Sequence, residues 1–494
     1  MMSPPSPSLR LSLAAVLAGL LSAFFGSTPT QAALLTYDAS SNLGWFATNA
    51  WDSGTSTWTS GDSAVVEVAS TTAVSLNAST NVANLTLGGA GGLSFTGTTS
   101  VRVLQMSGGN LSVTNNLGGV IIGSLAVIQG DYTFDTNGWL RLNNSSSQAY
   151  VGTATVQTGR IHYTHPTTQI GADSNFIITG GEVAMERSGA DMGTLTLNSG
   201  SLILGRSSTT GHTFTITTTR LEGNGASARI QTQGNPTTPS IQTFAVNQSD
   251  DTTYAGKILG TPVTTSDSNR LEFQKAGVGD LTLTGELDLR RTTTVADGRL
   301  YINSTGTNAS FTNEAGTDAI LVSGGSLGGT GTINITGSDN VSLGAGGSLT
   351  AGLAGVAGKT TIQFDGGNLN LSLATASANT GWLRFDLGSN ATPGTNYDQI
   401  DLLGGSLNIG TGLNFSDFDF TALAGFGAGN YVLFQTPGAI FGSLGTTTGV
   451  INGFDTTLSI SGNNLVLTSV PEPSNWALFG GSLLLLALLR RLRA

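Results

Sequence analysis

Along the chain a glycine is repeatedly followed by one polar residue and then by leucine or valine, as in Gly109-Asn110-Leu111, Gly181-Glu182-Val183, Gly200-Ser201-Leu202, Gly279-Asp280-Leu281, Gly298-Arg299-Leu300, Gly325-Ser326-Leu327, Gly347-Ser348-Leu349, Gly367-Asn368-Leu369 and Gly405-Ser406-Leu407. Several gaps between these glycines are near 20 residues, and the longer ones are near multiples of it. Strict alternation follows several of the turns, as in Leu281-Thr282-Leu283-Thr284 and Leu369-Asn370-Leu371-Ser372-Leu373. It sends every second, aliphatic side chain to one face of a strand. Such a period, with no helical pattern, predicts an all-β chain folded as a parallel β-helix, a solenoid in which each coil lays its strands on the next. About 15 coils are expected between Gly109 and Gly405, a rod of roughly 70 Å at about 4.8 Å per coil. A row of β-sandwiches is the rival, and would show separate cores and linkers that are not visible.

Composition agrees. Of 494 residues 70 are glycine, 10% are charged and none is cysteine. Soluble helical domains need long helix-favouring side chains, whereas Thr, Val and Ile suit pleated strands. At 38% hydrophobic the chain can bury a core, unlike a disordered Gly/Ser linker. The absence of cysteine removes disulfides, zinc-thiolate sites and thiol catalysis together, and with 3 histidines a metal site would rest on carboxylates. The net charge is −11, with no Lys/Arg cluster among aromatics, so nucleic acid is a poor partner.

The two ends read as addresses. Residues 1–32 carry Arg10, an apolar run from Leu11 to Phe25, and Thr30-Gln31-Ala32 with small residues at the cleavage-specifying positions. This predicts a secretory signal peptide cut after Ala32 by signal peptidase; the alternative is an uncleaved anchor. At the other end Val470-Pro471-Glu472-Pro473-Ser474 precedes an apolar stretch from Trp476 to Leu489, then Arg490, Arg491, Leu492, Arg493 and Ala494. As a helix that stretch spans about 21 Å, short against a bilayer core of about 30 Å. Snorkelling arginines and Trp476 extend its reach, and the positive-inside rule then puts Arg490, Arg491 and Arg493 in the cytoplasm as a basic anchor. Pro471 and Pro473 fix φ and lack an N–H, which is expected to hold the cleavage segment extended and out of any strand ladder.

Residues 470–494 resemble the PEP-CTERM sorting signal. The resemblance implies that Pro471, Glu472 and Pro473, the helix and the basic end are read by an exosortase, an integral-membrane cysteine peptidase that removes the helix and releases or re-anchors the protein. Loss of both ends would take away Arg10, Arg490, Arg491 and Arg493 and leave a more acidic chain. Within the body, Phe273-Gln274-Lys275-Ala276-Gly277-Val278-Gly279-Asp280-Leu281-Thr282-Leu283-Thr284-Gly285 with Val295-Ala296-Asp297-Gly298-Arg299-Leu300-Tyr301-Ile302-Asn303 resembles the autotransporter-associated β-strand repeat. The close match covers residues 271–303. No translocator-barrel segment follows it, so self-translocation is not implied.

The expected organisation is a signal peptide (1–32), an N-terminal cap (33–80) containing Trp45, Trp51 and Trp58, a β-helix body (81–377), terminal coils with a C-terminal cap (378–470), and the sorting signal with its short transmembrane helix (471–494). Parallel β-helices also include polysaccharide lyases and glycosidases, which need clustered carboxylates or a base beside a cation. The densest such cluster is Arg160, His162, Tyr163, His165 and Asp173; on a strand Arg160 and His162 share a face and His165 takes the other. Asp417-Phe418-Asp419 would present two carboxylates on one strand face, and Asp250-Asp251 lies in a polar loop, both candidates for calcium. Gly324-Gly325-Ser326-Leu327-Gly328 fits a nucleophile elbow without α/β context. Gly352 to Thr360 imitates a phosphate loop with Leu353 in place of its first glycine.

These residues predict an exported cell-surface or extracellular-matrix β-helix with a structural or adhesive role, no catalysis of its own, no cofactor and no assigned metal. Its partners would be the processing peptidases, transiently the inner membrane, and extracellular polysaccharide. A polysaccharide-active enzyme is the first alternative and would need a clustered carboxylate or Arg/His/Tyr groove on neighbouring coils. A carbohydrate-binding adhesin is the second, its sign a row of exposed aromatics.

Overall fold

The computed structural model describes residues 33–471 except 38–44, 48, 68–71, 77, 89–92, 98–101, 114–119, 123–125, 144–148, 166–168, 187–188, 206–212, 234–239, 261–268, 305–308, 314–315, 317 and 378. Three ladders of parallel strands run its length. The first climbs from Leu34–Thr36 to Phe418–Ala422 through fifteen successive pairings, hence sixteen rungs. The second runs from Thr72–Leu76 through Arg160–Tyr163 and Arg229–Thr232 to Gly429–Gln435. The third ends at Ile440–Leu444. The parallel β-helix expected from the repeat is therefore the architecture of the described body, about 70 Å long at the spacing of paired strands.

The coil count is a correction. Between Gly109 and Gly405 the first ladder has twelve rungs rather than fifteen, because the Gly-x-Leu turns open strands on different ladders. Gly347 precedes Ser348–Thr350 on the first ladder and Gly367 precedes Leu369–Asn370 on the third, so their 20-residue gap lies within one coil. True coil lengths run from 19 residues, Leu281 to Leu300, to 40, Lys359 to Gln399.

Alternation builds the core. Leu281, Leu300, Leu327, Leu349, Leu383 and Phe418 stack in register and are all buried. Each such side chain contributes about 1.5–3 kcal/mol on burial. The corners are held by uncharged side chains: Asn340 Oδ1 accepts the Asn368 N–H at 3.0 Å, and Asn368 Oδ1 accepts the Ser406 N–H at 2.9 Å on the following coil. Amide stacking of this kind satisfies corner backbone without charge, which is why so few ionisable residues suffice.

Lys275 of the repeat-like segment is a buried exception. On the third ladder it sits in register with Val295 and Val246, fully covered. Its Nζ donates to the carbonyls of Ala276 (2.8 Å), Gly277 (2.7 Å) and Asp297 (3.2 Å), so all three ammonium donors are used. Burial lowers its pKa to about 8. Gly298 closes the turn at φ +61°, where a Cβ would lie 2.4 Å from the Gly277 carbonyl oxygen.

Two local expectations change, the strand after Leu369 and the place of Pro471. The alternating run from Leu369 stops at Asn370, whose Oδ1 accepts the Ser372 N–H (3.1 Å) and hydroxyl (2.7 Å), and one helical turn, Ser372–Thr375, follows. Such local side-chain bonds compete with a ladder. The coils end in three antiparallel strands, Thr448–Ile451, Phe454–Ser461 and Asn464–Pro471, the last also pairing antiparallel with Gly429–Gln435. Pro471 is thus not outside the ladder: exposed and extended, it takes the final position opposite Phe454, a strand end where the missing N–H is tolerated. At the opposite end Trp45, Trp51 and Trp58 cluster with ring centroids 4.7–5.0 Å apart, Trp45 and Trp51 fully buried.

Candidate functional site

The second ladder buries Leu140, Ile161, Val183, Leu202, Ile230, Ile258 and Leu287 and turns the residues between them outward. Two rows result on the side away from the core, the second of them covered at His162, Ala184 and Ile203. One stacks Trp139, Arg160, Glu182, Ser201, Arg229 and Lys257; the other stacks Arg141, His162, Ala184, Ile203, Gln231, Leu259 and Asp288. In a chain with only 19 cationic residues, this outer face holds an unusual share of them.

At one end Trp139 stacks on His162, centroids 5.9 Å apart and rings inclined 17°. His162 Nε2 lies 3.3 Å from Glu186 Oε2, both residues 4% exposed, and Arg141 approaches the same carboxylate at 3.8 Å. Further along, Arg160 donates from Nη2 to Glu182 at 2.8 Å, Lys257 meets Glu286 at 2.5 Å and Arg290 meets Asp288 at 3.1 Å. Between them lies an open cavity of about 540 Å³, within the size range of ligand sites, with Arg160 and Glu182 at one side and Glu286 and Asp288 at the other. The carboxylates of Glu182, Glu186, Glu286 and Asp288 each have a basic neighbour, whereas Arg229, Gln231 and Gln233 in the middle make no side-chain bond within the described residues.

Arg160 and His162 share the outer face, as their alternation implied. Tyr163 does not join them: it points into the core, 1% exposed, and burial pushes its phenol well above the ordinary value. His165 lies beyond the strand end, its N–H on Gln169 Oε1 at 3.0 Å, and Asp173 is exposed on Ile170–Met185. The acidic partners of the face, Glu182 and Glu186, escaped the sequence reading. A signal existed, because Gly159-Arg160-Ile161 and Gly181-Glu182-Val183 are the same turn one 22-residue coil apart.

The calcium candidates do not assemble. Asp417 ends a 3-10 turn, Phe415–Asp417, where its carboxylate caps the Asn414 N–H at 2.7 Å and burial raises its pKa, while Asp419 is exposed on the next strand. Asp250 pairs with Arg220 at 2.6 Å, and Asp251 accepts the Asp280 N–H at 2.8 Å. Ser326 of the elbow-like run is buried against Thr350, hydroxyl to hydroxyl at 2.8 Å. In the phosphate-loop imitation the Gly355 N–H donates to Asp386 (2.5 Å) and the Gly358 N–H to Asp398 (2.6 Å), so these amides are already bonded to side-chain carboxyl oxygens. Exposed aromatics form no row among the described residues: Phe441, 56% exposed, lies on the last third-ladder strand, far in sequence from half-buried Trp139.

No protein-family model matches the chain, and a search of curated proteins returns no match. Among the described residues no helix is long and apolar enough to cross a membrane. Ala32, Glu472, Pro473, Arg490, Arg491 and Arg493, with the signal-peptide and transmembrane expectations, lie outside the described residues.

Proposed function

We propose that the protein is an exported, exosortase-sorted rod of the cell surface or extracellular matrix, with a structural or adhesive role and no catalysis of its own. The observation that carries the reading is the single continuous apolar core running through every coil under an outer surface of Thr, Ser and Asn. That is the construction of a stiff spacer rather than of an enclosed active site. The non-catalytic part rests on the groove of the second ladder, where Glu182, Glu186, Glu286 and Asp288 are each matched with a cation. A glycosidase needs one carboxyl kept protonated and a second free opposite it. The sorting part rests on Pro471-Glu472-Pro473 with the apolar and basic tail behind it.

A polysaccharide-active enzyme is the second reading, favoured by the appearance of Arg141, Arg160, His162 and Glu186 together on neighbouring coils. Protease shaving of intact native cells tests the proposal. Body peptides should be released from wild-type cells or found in the medium, and should stay protected in a strain lacking exosortase. Equal release from both strains would refute exosortase sorting, and cleavage of any surface polysaccharide by the purified chain would refute the non-catalytic part.

A further inference from the structure

The centre of the second-ladder groove combines features of a built site that the structural role does not use. We infer that it binds an extended glycan carrying carboxylates, with the guanidinium of Arg229 pairing a sugar carboxylate. The inference goes beyond the surface role and rests on it only for where the ligand would be met.

Arg229 is exposed on the strand Arg229–Thr232, and among the described residues it has no carboxylate partner, unlike Arg160, Lys257 and Arg290 beside it. An unpaired guanidinium in a recess presents a planar fork matched to a carboxylate. Gln231 on that strand and Gln233 just past its end line the same cavity and offer amide donors and acceptors to hydroxyls. Gln231 is flanked in register on one side by half-buried Leu259, whose apolar edge can meet the C–H face of a sugar ring, and on the other by Ile203, buried beneath the groove. Rungs repeat about every 4.8 Å along the groove, so successive coils can meet successive units of a linear chain laid parallel to the rod axis. The charge pattern selects the ligand class. Among the described residues each flanking acidic group faces its own cation, which leaves Arg229 as the uncompensated cation of the groove. A neutral glycan would leave it unused, and an anion free in solution would not need the length of the groove.

The test is calorimetric titration of the full chain in mild detergent with polygalacturonate, alginate and hyaluronan, beside fully methyl-esterified polygalacturonate. The expected result is saturable, salt-sensitive binding to at least one free-acid chain, with the esterified chain at least about tenfold weaker. Arg229→Gln should weaken binding roughly tenfold to a hundredfold, the worth of one charge-assisted contact. Arg384→Gln, on the first ladder, should leave it unchanged. No binding to any of the three acids, equal binding of the ester, or an unaffected Arg229→Gln variant would each overturn the inference. None of these outcomes touches sorting, which is read in cells; release of reducing ends would instead refute the non-catalytic reading and leave the site in place.

Discussion

Replacing Lys275 by methionine separates a buried cation that holds a turn from one that is merely tolerated. Methionine keeps an unbranched chain of similar length in the column between Val246 and Val295 and removes the ammonium. Three donors to the carbonyls of Ala276, Gly277 and Asp297 are lost. Hydrogen bonds from a charged donor are worth about 1.5–3 kcal/mol each. Against this stands the burial of the charge: a pKa lowered from 10.5 to about 8 corresponds to roughly 3 kcal/mol. The balance is a net loss of roughly 2–5 kcal/mol at pH 7 for Lys275→Met.

The pH dependence has a definite sign. The folded value is depressed, so the unfolded chain binds the extra proton between about pH 8 and 10.5, and the stability contributed by this group rises with pH across that window. Urea unfolding followed by circular dichroism at pH 7 and 9.5 reads both effects. The stability of the wild type relative to Lys275→Met should rise between pH 7 and 9.5, a difference in which the opposing titration of Asp398, common to both chains, cancels. A variant as stable as the wild type at pH 7, or a wild type without that gain, would refute the account of Lys275 as a turn-holding ammonium.

Leu300→Ala, in the middle of the first-ladder column and fully buried, should cost about 3–5 kcal/mol, read as a lower urea midpoint. Gly298→Ala meets both a positive φ and the Gly277 carbonyl, and should destabilise by at least about 1–3 kcal/mol, with faster amide exchange in the coils on either side. Asp398 has the opposite linkage to Lys275. Burial raises its pKa to about 8, so its contribution is complete below the unfolded value of 3.8 and is lost as pH rises through about 8. Asp398→Asn should therefore flatten the dependence of thermal midpoint on pH between about 4 and 8.

The repeat made the coil legible because backbone stacking forces one strand per ladder per coil, and glycine marks the corners where carbonyls approach within a Cβ's reach. The coil count was less legible. Gly347-Ser348-Leu349 and Gly367-Asn368-Leu369 look identical in sequence, yet one starts a first-ladder strand and the other a third-ladder strand. Leu373 shows why alternation alone misleads: it continues the pattern, but Asn370 ends the strand first and Leu373 is 60% exposed. In the groove, Arg160 and His162 could be assigned to one face from their own spacing. Their partners could not, since Glu182 and Glu186 reach them only through the stacking of one coil on another. That Arg229 has no carboxylate beside it among the described residues is likewise a property of its neighbours on adjoining coils, invisible along the chain.

The central claim, an exported rod trimmed at both ends, is tested most directly by the intact mass and terminal peptides of the protein isolated from its native host with and without exosortase. The account predicts an N-terminus at Ala33 in both strains, a wild-type C-terminus lacking the peptide after Pro473, and a C-terminus extending to Ala494 in membranes of the mutant. A chain ending at Ala494 in both strains would contradict it.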